Sequence, residues 1–281
     1  KKAIELNPDF VDAYYYLGLI FEHEGSESSA IECFETVIEK NPHYTDGWIA
    51  LARAEEKYAL PWDPPIDQKP LDILAEALKL NPEDKMVYES FRNYAFWYSY
   101  EEISIPTIKY LIQKNPSDSR YALDYARALY NLEQYESCKK LIDSIEVSYQ
   151  TFSNCETNLL RSKILLISEK TEEGLDLYWQ SLSTLQSSTD GDLFYRDLRY
   201  IMLDGEYDEY KSTSLTELPI FYSRFWHSRD PNLATVVNER IAEHYKRLNH
   251  ARKNFRSYES GYYNKVVIYK FEHPLYGIMN I

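Results

Sequence analysis

The side chains that could carry catalysis or hold a metal are scattered along this chain. The six histidines are His23, His43, His227, His244, His250 and His273. No HExxH pair occurs among them, and His244 and His250 lie six residues apart, so on one helix they point in different directions. The sequence also lacks the GxSxG motif, a glycine-rich phosphate loop and a dinucleotide fingerprint. We therefore predict no metal site, no cofactor and no enzymatic activity.

Cysteine spacing and net charge narrow the range of partners. Cys33, Cys138 and Cys155 form no CxxC pair, and we interpret them as thiols carried on helices. The formal net charge of −14 disfavours nucleic acid and anionic membrane surfaces as partners. No apolar run reaches the length of about 18 residues that a membrane span needs. These observations argue against nucleic acid and the membrane as general partners.

The sequence contains a repeat, which predicts the helices that carry the residues discussed above. An Asn-Pro pair recurs at Asn7-Pro8, Asn41-Pro42, Asn81-Pro82 and Asn115-Pro116. The first and second prolines are 34 residues apart, as are the third and fourth, while the middle gap of 40 adds six residues. Only 8 of 281 residues are glycine, which favours helices over sheets with many tight turns. A fixed period of this length is the signature of a helical repeat array.

The segment Val11–Tyr44 shows how one unit is built. Large apolar residues recur at helical spacing on a first predicted helix and again on a second. Small Gly18 and Ala30 allow the two helices to approach closely, Gly25 lies in the turn between them, and Pro42 ends the second helix. The residues on the two buried faces are Tyr14, Leu17 and Phe21, followed by Phe34 and Val37.

These spacings resemble the tetratricopeptide-repeat (TPR) family. Residues 1–10 resemble the end of an earlier repeat, and four more units follow Val11–Tyr44: Thr45–Asp84, Lys85–Asp118, Ser119 to about Tyr149, and about Cys155 to Ser188. The second of these five units is interrupted by a proline-rich loop, Leu60–Pro65. The resemblance implies a mainly α fold, in which residues 1–188 form a right-handed TPR-type solenoid of about five antiparallel helix pairs.

In the TPR family the first helix of each repeat lines a groove that binds polypeptides. Position 9 of that helix is Leu19, Arg53, Asn93, Arg127 and Lys163 in the five repeats. We call Arg53, Arg127 and Lys163 the basic stripe, and predict that it grips an acidic or extended peptide. The alternative is that these cations are solvated or paired with Glu22 and Glu56. The predicted groove residues are Tyr15, Arg53, Asn93, Phe96, Arg127, Tyr130 and Lys163.

After about residue 189 the period is lost, and residues 189–281 are predicted to form a smaller, mostly helical domain with a possible short strand. It contains a Phe-Trp pair, an Arg-Asp-Pro turn and a long helix from about Thr235. This block resembles the bacterial GWxTD-domain family. The matching residues are Phe225, Trp226, Arg229, Asp230, Pro231, Asn238, Glu239, Tyr245, Arg247, Ala251 and Phe255.

The motif that gives that family its name is incomplete here. Gly261–Lys265 stands in its place without the Thr and Asp, and the strand-like run that follows, Val266–Phe271, is short. We expect Arg229 and Asp230 to brace the start of the long helix against Phe225 and Trp226. The resemblance brings no activity with it.

Two functions follow from the sequence. In the first, the chain is an adaptor or scaffold that holds a polypeptide in the TPR groove. In the second, it is a structural subunit of a cell-envelope or secretion-type assembly, docked through Phe225, Trp226, Arg229 and Asp230. The GWxTD resemblance implies a bacterial periplasmic or envelope location rather than the cytoplasm.

Overall fold

The computed structural model describes most of the chain. The described residues are 2–59, 68–97, 101–149, 154–232, 234, 238–255, 272–273 and 277–278, with backbone only at 97, 252–255 and the last two ranges. Several features singled out in the sequence lie outside the described residues: Leu60–Pro65, Thr235, Gly261–Lys265 and Val266–Phe271.

Helices arranged in successive pairs make up the repeat region. A short first helix, α1 (Lys2–Leu6), precedes them. The pairs are α2 (Val11–His23) with α3 (Glu27–Lys40), α4 (Thr45–Ala59) with α5 (Lys69–Leu80), α6 (Lys85–Trp97) with α7 (Glu101–Lys114), α8 (Ser119–Asn131) with α9 (Tyr135–Ser148), and α10 (Asn154–Ile167) with α11 (Thr171–Ser183). Four of these pairs begin at the residue where the predicted unit begins, and the fifth begins one residue earlier. The prediction of a mainly helical repeat fold is confirmed.

Shorter helices follow the pairs. They are α12 (Ser188–Leu198), α13 (Asp204–Ser212), α14 (Leu218–His227) and the longer α15 (Glu239–Phe255). Two short strands, β1 (Glu272–His273) and β2 (Gly277–Ile278), pair antiparallel, with Glu272 opposite Ile278. Just before α15, the side chain of Asn238 accepts a hydrogen bond from the backbone N–H of Arg240 at 3.1 Å.

Small residues let the paired helices touch. A Cβ atom added at Gly18 would lie 2.6 Å from the ring of Phe34, and Ala30 on the facing helix is fully buried. In the fifth pair, a Cβ at Gly174 would lie 2.8 Å from Leu166. Any larger side chain at these glycines would push the helices of its pair apart.

The turn inside a pair takes the left-handed backbone conformation. Gly25 has φ of 73°, and the same position in the fourth and fifth repeats is occupied by Glu133 (φ 60°) and Glu169 (φ 65°). Glycine adopts this conformation without the steric cost that a Cβ brings. Two of these three turns therefore carry backbone strain that the sequence pattern did not reveal.

The chain divides into two compact units, and the division falls inside α8, between Ala128 and Leu129. Unit 1 contains α1 to α7 and most of α8, and unit 2 contains the end of α8 and the helices and strands that follow it. Unit 1 is filled by two apolar clusters, centred on Phe34 and on Tyr88 with Phe91.

Unit 2 is filled by an apolar cluster that runs from Cys155 to Tyr245. This core takes residues from α10 and α11 of the repeat region and also from α12, α14 and α15. Helices on both sides of the expected boundary at residue 188 therefore pack into one core. The division into a TPR solenoid at residues 1–188 and a C-terminal domain at residues 189–281 stays a prediction.

Candidate partner-binding faces

Unit 1 carries the expected groove positions on the first helix of each pair. Nine residues occupy positions 5, 9 and 12 of α2, α4 and α6, three of them being Leu19, Ile49 and Glu89. We call the other six the unit 1 face: Tyr15, Glu22, Arg53, Glu56, Asn93 and Phe96. Side chains on successive helices touch along it: Arg53 reaches Glu22, and the Tyr94 hydroxyl donates to Glu56 at 2.7 Å. These contacts place the set on one continuous surface within unit 1.

Arg53 is paired with Glu22. Its Nε and Nη2 atoms each donate to a different oxygen of Glu22 at 2.7 Å, and Lys57 donates to the same carboxylate at 2.6 Å. The hydrogen bond from Arg53 holds the pKa of Glu22 below its usual value, against the opposing effect of burial. One carboxylate faces two cations that are 41% and 46% exposed, so a positive charge stays accessible to solvent.

Arg127 is buried rather than exposed. It donates to Asp124 at 2.9 Å, and Arg92 and the hydroxyl of Tyr88 donate to the same carboxylate at 2.9 and 2.6 Å. Burial alone would raise the pKa of Asp124, but the charges of Arg92 and Arg127 hold it below its usual value. The guanidinium of Arg127 also lies 5.0 Å from the ring centre of Phe96. Arg127 thus joins α6 to α8 inside unit 1.

The other groove residues of unit 1 differ in exposure. Asn93 is exposed, and Phe96 is half-buried beneath Arg127. Tyr15 is half-buried in an aromatic cluster, with its ring centre 5.3 Å from that of Tyr44 and 6.0 Å from that of Phe34. The unit 1 face therefore offers an amide, aromatic edges and a paired arginine to solvent.

Lys163 and Tyr130 belong to unit 2, where they are buried. Lys163 is 7% exposed and forms an ion pair with Asp197 of α12. Its Nζ lies 5.8 Å from the ring centre of Tyr130 and 5.7 Å from that of Tyr245 on α15. We call the set Tyr130, Leu159 and Lys163 the unit 2 face, and all three are buried.

The three cations of the basic stripe differ in exposure, since Arg53 is partly exposed while Arg127 and Lys163 are buried, and each of the three pairs with a carboxylate. Pairing was the alternative that the sequence left open, and Glu22 is the predicted partner of Arg53. Glu56 instead accepts from Tyr94, while Asp124 and Asp197, which pair with the other two cations, were missed. A role of these cations in partner binding stays a prediction.

Phe225 and Trp226, two of the predicted docking residues, lie in the core of unit 2. Phe225 and Trp226 are 4% and 0% exposed, and the indole N–H of Trp226 donates to the hydroxyl of Tyr178 at 2.8 Å. Since both rings lie in the core, docking through them would require the core to open. Asn238, not Arg229, ties the start of α15 to this pair, by donating to the carbonyl of Trp226 at 2.9 Å.

Arg229 braces a different helix from the one expected. It makes two hydrogen bonds with Glu206 of α13, at 2.8 and 2.7 Å, and one with the carbonyl of Ile201 at 3.1 Å. Its guanidinium also stacks 3.8 Å from the ring centre of Phe225. Asp230 closes the following turn by accepting from the backbone N–H of Asn232 at 3.0 Å. Both residues hold the fold of unit 2.

Comparison with known proteins supports the repeat assignment. Residues 1–32 match the family model of the tetratricopeptide repeat. This match and the five helix pairs support a TPR protein. No curated protein matches the sequence.

Two solved structures are similar in fold. YrrB, described as a TPR protein with an unusual peptide-binding site, is 12% identical over 65% of this chain and 90% of its own, with a TM-score of 0.43. TTC0263, a thermophilic TPR protein of Thermus thermophilus, is 18% identical over 66% of this chain and 96% of its own, with a TM-score of 0.38. Neither comparison bears on the GWxTD resemblance, which stays a prediction.

Among the described residues, no group of three or more histidines, cysteines or acidic residues is placed to hold a metal ion. Within the same part of the chain, no helix is both long and apolar enough to cross a bilayer.

Proposed function

We propose that this chain is an adaptor or scaffold that binds a polypeptide on the unit 1 face. The observation that supports this is the exposure of that face: Asn93 is exposed, and Tyr15, Arg53 and Phe96 keep part of their surface in solvent. Helical repeats use such surfaces for binding because stacking already buries the apolar side of each pair.

The side chains of the unit 1 face favour an extended peptide with acidic character. The exposed Asn93 amide has both a donor and an acceptor, so it can pair with a peptide backbone. Arg53 and Lys57 share the Glu22 carboxylate and keep part of their side chains in solvent, where they can donate to a peptide carboxylate. The edges of Tyr15 and Phe96 provide apolar contact on either side.

The test is a binding measurement with labelled short peptides of acidic, neutral and basic composition, followed by fluorescence anisotropy. We expect the full chain to bind acidic peptides most tightly, and the affinity to fall as salt is raised, because screening weakens the attraction. Asn93→Ala should weaken binding by about 2- to 10-fold, the range expected for one lost hydrogen bond.

Gln113→Ala is the matched control, because Gln113 is also an exposed amide but lies on α7, the second helix of the same pair. It should leave the affinity unchanged. Circular dichroism of both variants checks that the helices are intact. Equal effects of the two substitutions, or no preference for acidic peptides, would contradict the proposal.

A further inference from the structure

The helix α13 of unit 2 presents large apolar side chains to solvent. Leu203, directly before the helix, is 68% exposed, and Tyr207 is 37% exposed. Leu203, Tyr207 and Lys211 are spaced by four residues, which places them in one row along the helix. Tyr210 is the residue that α13 contributes to the core of unit 2. The row is therefore a feature of the surface rather than of the core packing.

Aromatic rings beside this row extend the apolar surface from α13 to α12. Tyr195 of α12 stacks on Tyr210, with ring centres 4.8 Å apart and planes inclined by 7°. The ring centre of Tyr207 lies 5.7 Å from that of Tyr195, which also keeps part of its surface in solvent. The hydroxyl of Tyr210 donates to Asp192 of α12 at 2.5 Å, which fixes the two helices together.

Hydrogen bonds on the other sides of α13 hold the row in place. Glu206 accepts from the backbone N–H of Leu203 at 2.8 Å, and from two nitrogen atoms of Arg229 at 2.8 and 2.7 Å. Glu209 forms an ion pair with Arg224 of α14. A surface that is already fixed loses little conformational freedom when it associates, which favours its use as an interface.

The charges at the two ends of the row have opposite signs. Asp204 and Lys211 are both exposed, and within the described part of the chain neither is in an ion pair. Nζ of Lys211 lies 5.5 Å from the ring centre of Tyr207. Asp204 comes three residues before Tyr207, and Lys211 four residues after it. An antiparallel copy of α13 would therefore set each of these charges opposite its counterpart in the other copy.

We propose that α13 is a dimer contact, through which two copies of this chain pair with their α13 helices antiparallel and a two-fold axis beside Tyr207. Leu203 and Tyr207 of each copy cover those of the other, and an Asp204–Lys211 pair closes each end. A two-fold axis needs only one self-complementary surface, and this row has that property. The patch is small, so the dimer is weak and reversible. The contact uses no residue of the unit 1 face and does not depend on peptide binding there.

Sedimentation velocity of the full chain over a series of concentrations tests the apolar part of the contact. The sedimentation coefficient should rise with concentration, and Leu203→Ser should raise the dissociation constant of the dimer by about 10-fold or more, because the side chain is buried in both copies. Val147→Ser is the matched control, since Val147 is an apolar residue of α9 that is 84% exposed, and it should change nothing. A monomer at every concentration, or equal effects of the two substitutions, overturns the proposal.

Exchange of the two charges tests the pairing itself. Asp204→Lys and Lys211→Asp should each weaken the dimer by about 3- to 30-fold, because both ends then oppose like charges. An equal mixture of the two variants should form a mixed dimer as readily as the unaltered protein, since opposite charges meet again at both ends. Asp176→Lys, at an exposed position of α11, is the control for added charge, and circular dichroism checks that each variant is folded. Failure of the mixture to associate overturns the antiparallel pairing of α13.

Discussion

The unit 1 face and the unit 2 face occupy the same positions of the repeat but differ in what covers them. Arg53 in unit 1 and Lys163 in unit 2 are both position 9 cations paired with a carboxylate, yet their side chains are 41% and 9% exposed. The lower exposure of Lys163 comes from α12 and α15, which supply Asp197 and Tyr245. Repeat position alone does not decide exposure, because Arg127, also at position 9, is buried within unit 1 by its contacts with Asp124 and Phe96.

The two ion pairs should therefore contribute very differently to stability, which gives the largest predicted effect. Asp197→Asn leaves the charge of Lys163 buried without its partner, and should lower the free energy of unfolding by about 3–5 kcal/mol. Glu22→Gln leaves Arg53 and Lys57 half in solvent, where water replaces the lost carboxylate, and should cost about 1 kcal/mol or less.

Urea denaturation of the full chain, followed by circular dichroism, measures both variants. Each substitution exchanges a carboxylate for its amide, so size and shape are matched. A similar loss of stability in the two variants would contradict the claim that the buried Lys163–Asp197 pair contributes more to stability than the exposed Arg53–Glu22 pair.

The buried histidine of α15, His244, gives the second effect. Burial lowers the pKa of His244 to about 4, against the opposing charge of Asp197. An unfolded histidine takes up its proton near a pH of about 6.5, so the unfolded state binds more protons between these values. The contribution of neutral His244 to the free energy of unfolding is complete above a pH of about 6.5. It falls by up to about 3 kcal/mol as the pH drops toward about 4.

His244→Gln keeps a side-chain donor for the carbonyl of Asp197 but cannot titrate. The free energy of unfolding of this variant should change less between a pH of about 6.5 and about 4.5 than that of the unaltered protein. Parallel pH profiles for the two proteins would show that His244 is not held neutral in the core of unit 2. Carboxylates with lowered pKa values, such as Asp124 and Glu22, lose their stabilising effect mainly below a pH of about 5, and equally in both proteins.

The third and smallest effect concerns the turns within the pairs. Unit 1 has Gly25 at the left-handed position, whereas unit 2 has Glu133 there. Glu133→Gly should raise the free energy of unfolding by about 1 kcal/mol, and Gly25→Ala should lower it by about the same amount. Thermal or urea denaturation compares them, and a destabilised Glu133→Gly protein would contradict the assignment of strain to that turn.

Local patterns made most of the helix pairs predictable. Gly18 against Phe34, and a turn glycine at Gly25, are relations within one repeat, and the 34-residue period carries them along the chain. The starts of the pairs follow because each unit begins after an Asn-Pro turn or at its equivalent position.

The burial of the site residues could not be predicted in the same way. Arg127 is covered through Asp124 and Phe96, and the pattern treated all three as independent positions. Lys163 is covered by Asp197 and Tyr245, which come from beyond the periodic region. Such contacts depend on tertiary packing between segments that share no repeat register.

Amine labelling of the native protein, read by mass spectrometry, tests the central contrast most directly. Lys57, with a side chain 46% exposed beside Arg53, should be acetylated at a rate similar to that of Lys79 on α5, which is 57% exposed. Lys163, at 9%, should stay unmodified until the protein is unfolded. Labelling of Lys163 as fast as Lys57 in the native protein would show that α15 does not cover the unit 2 face.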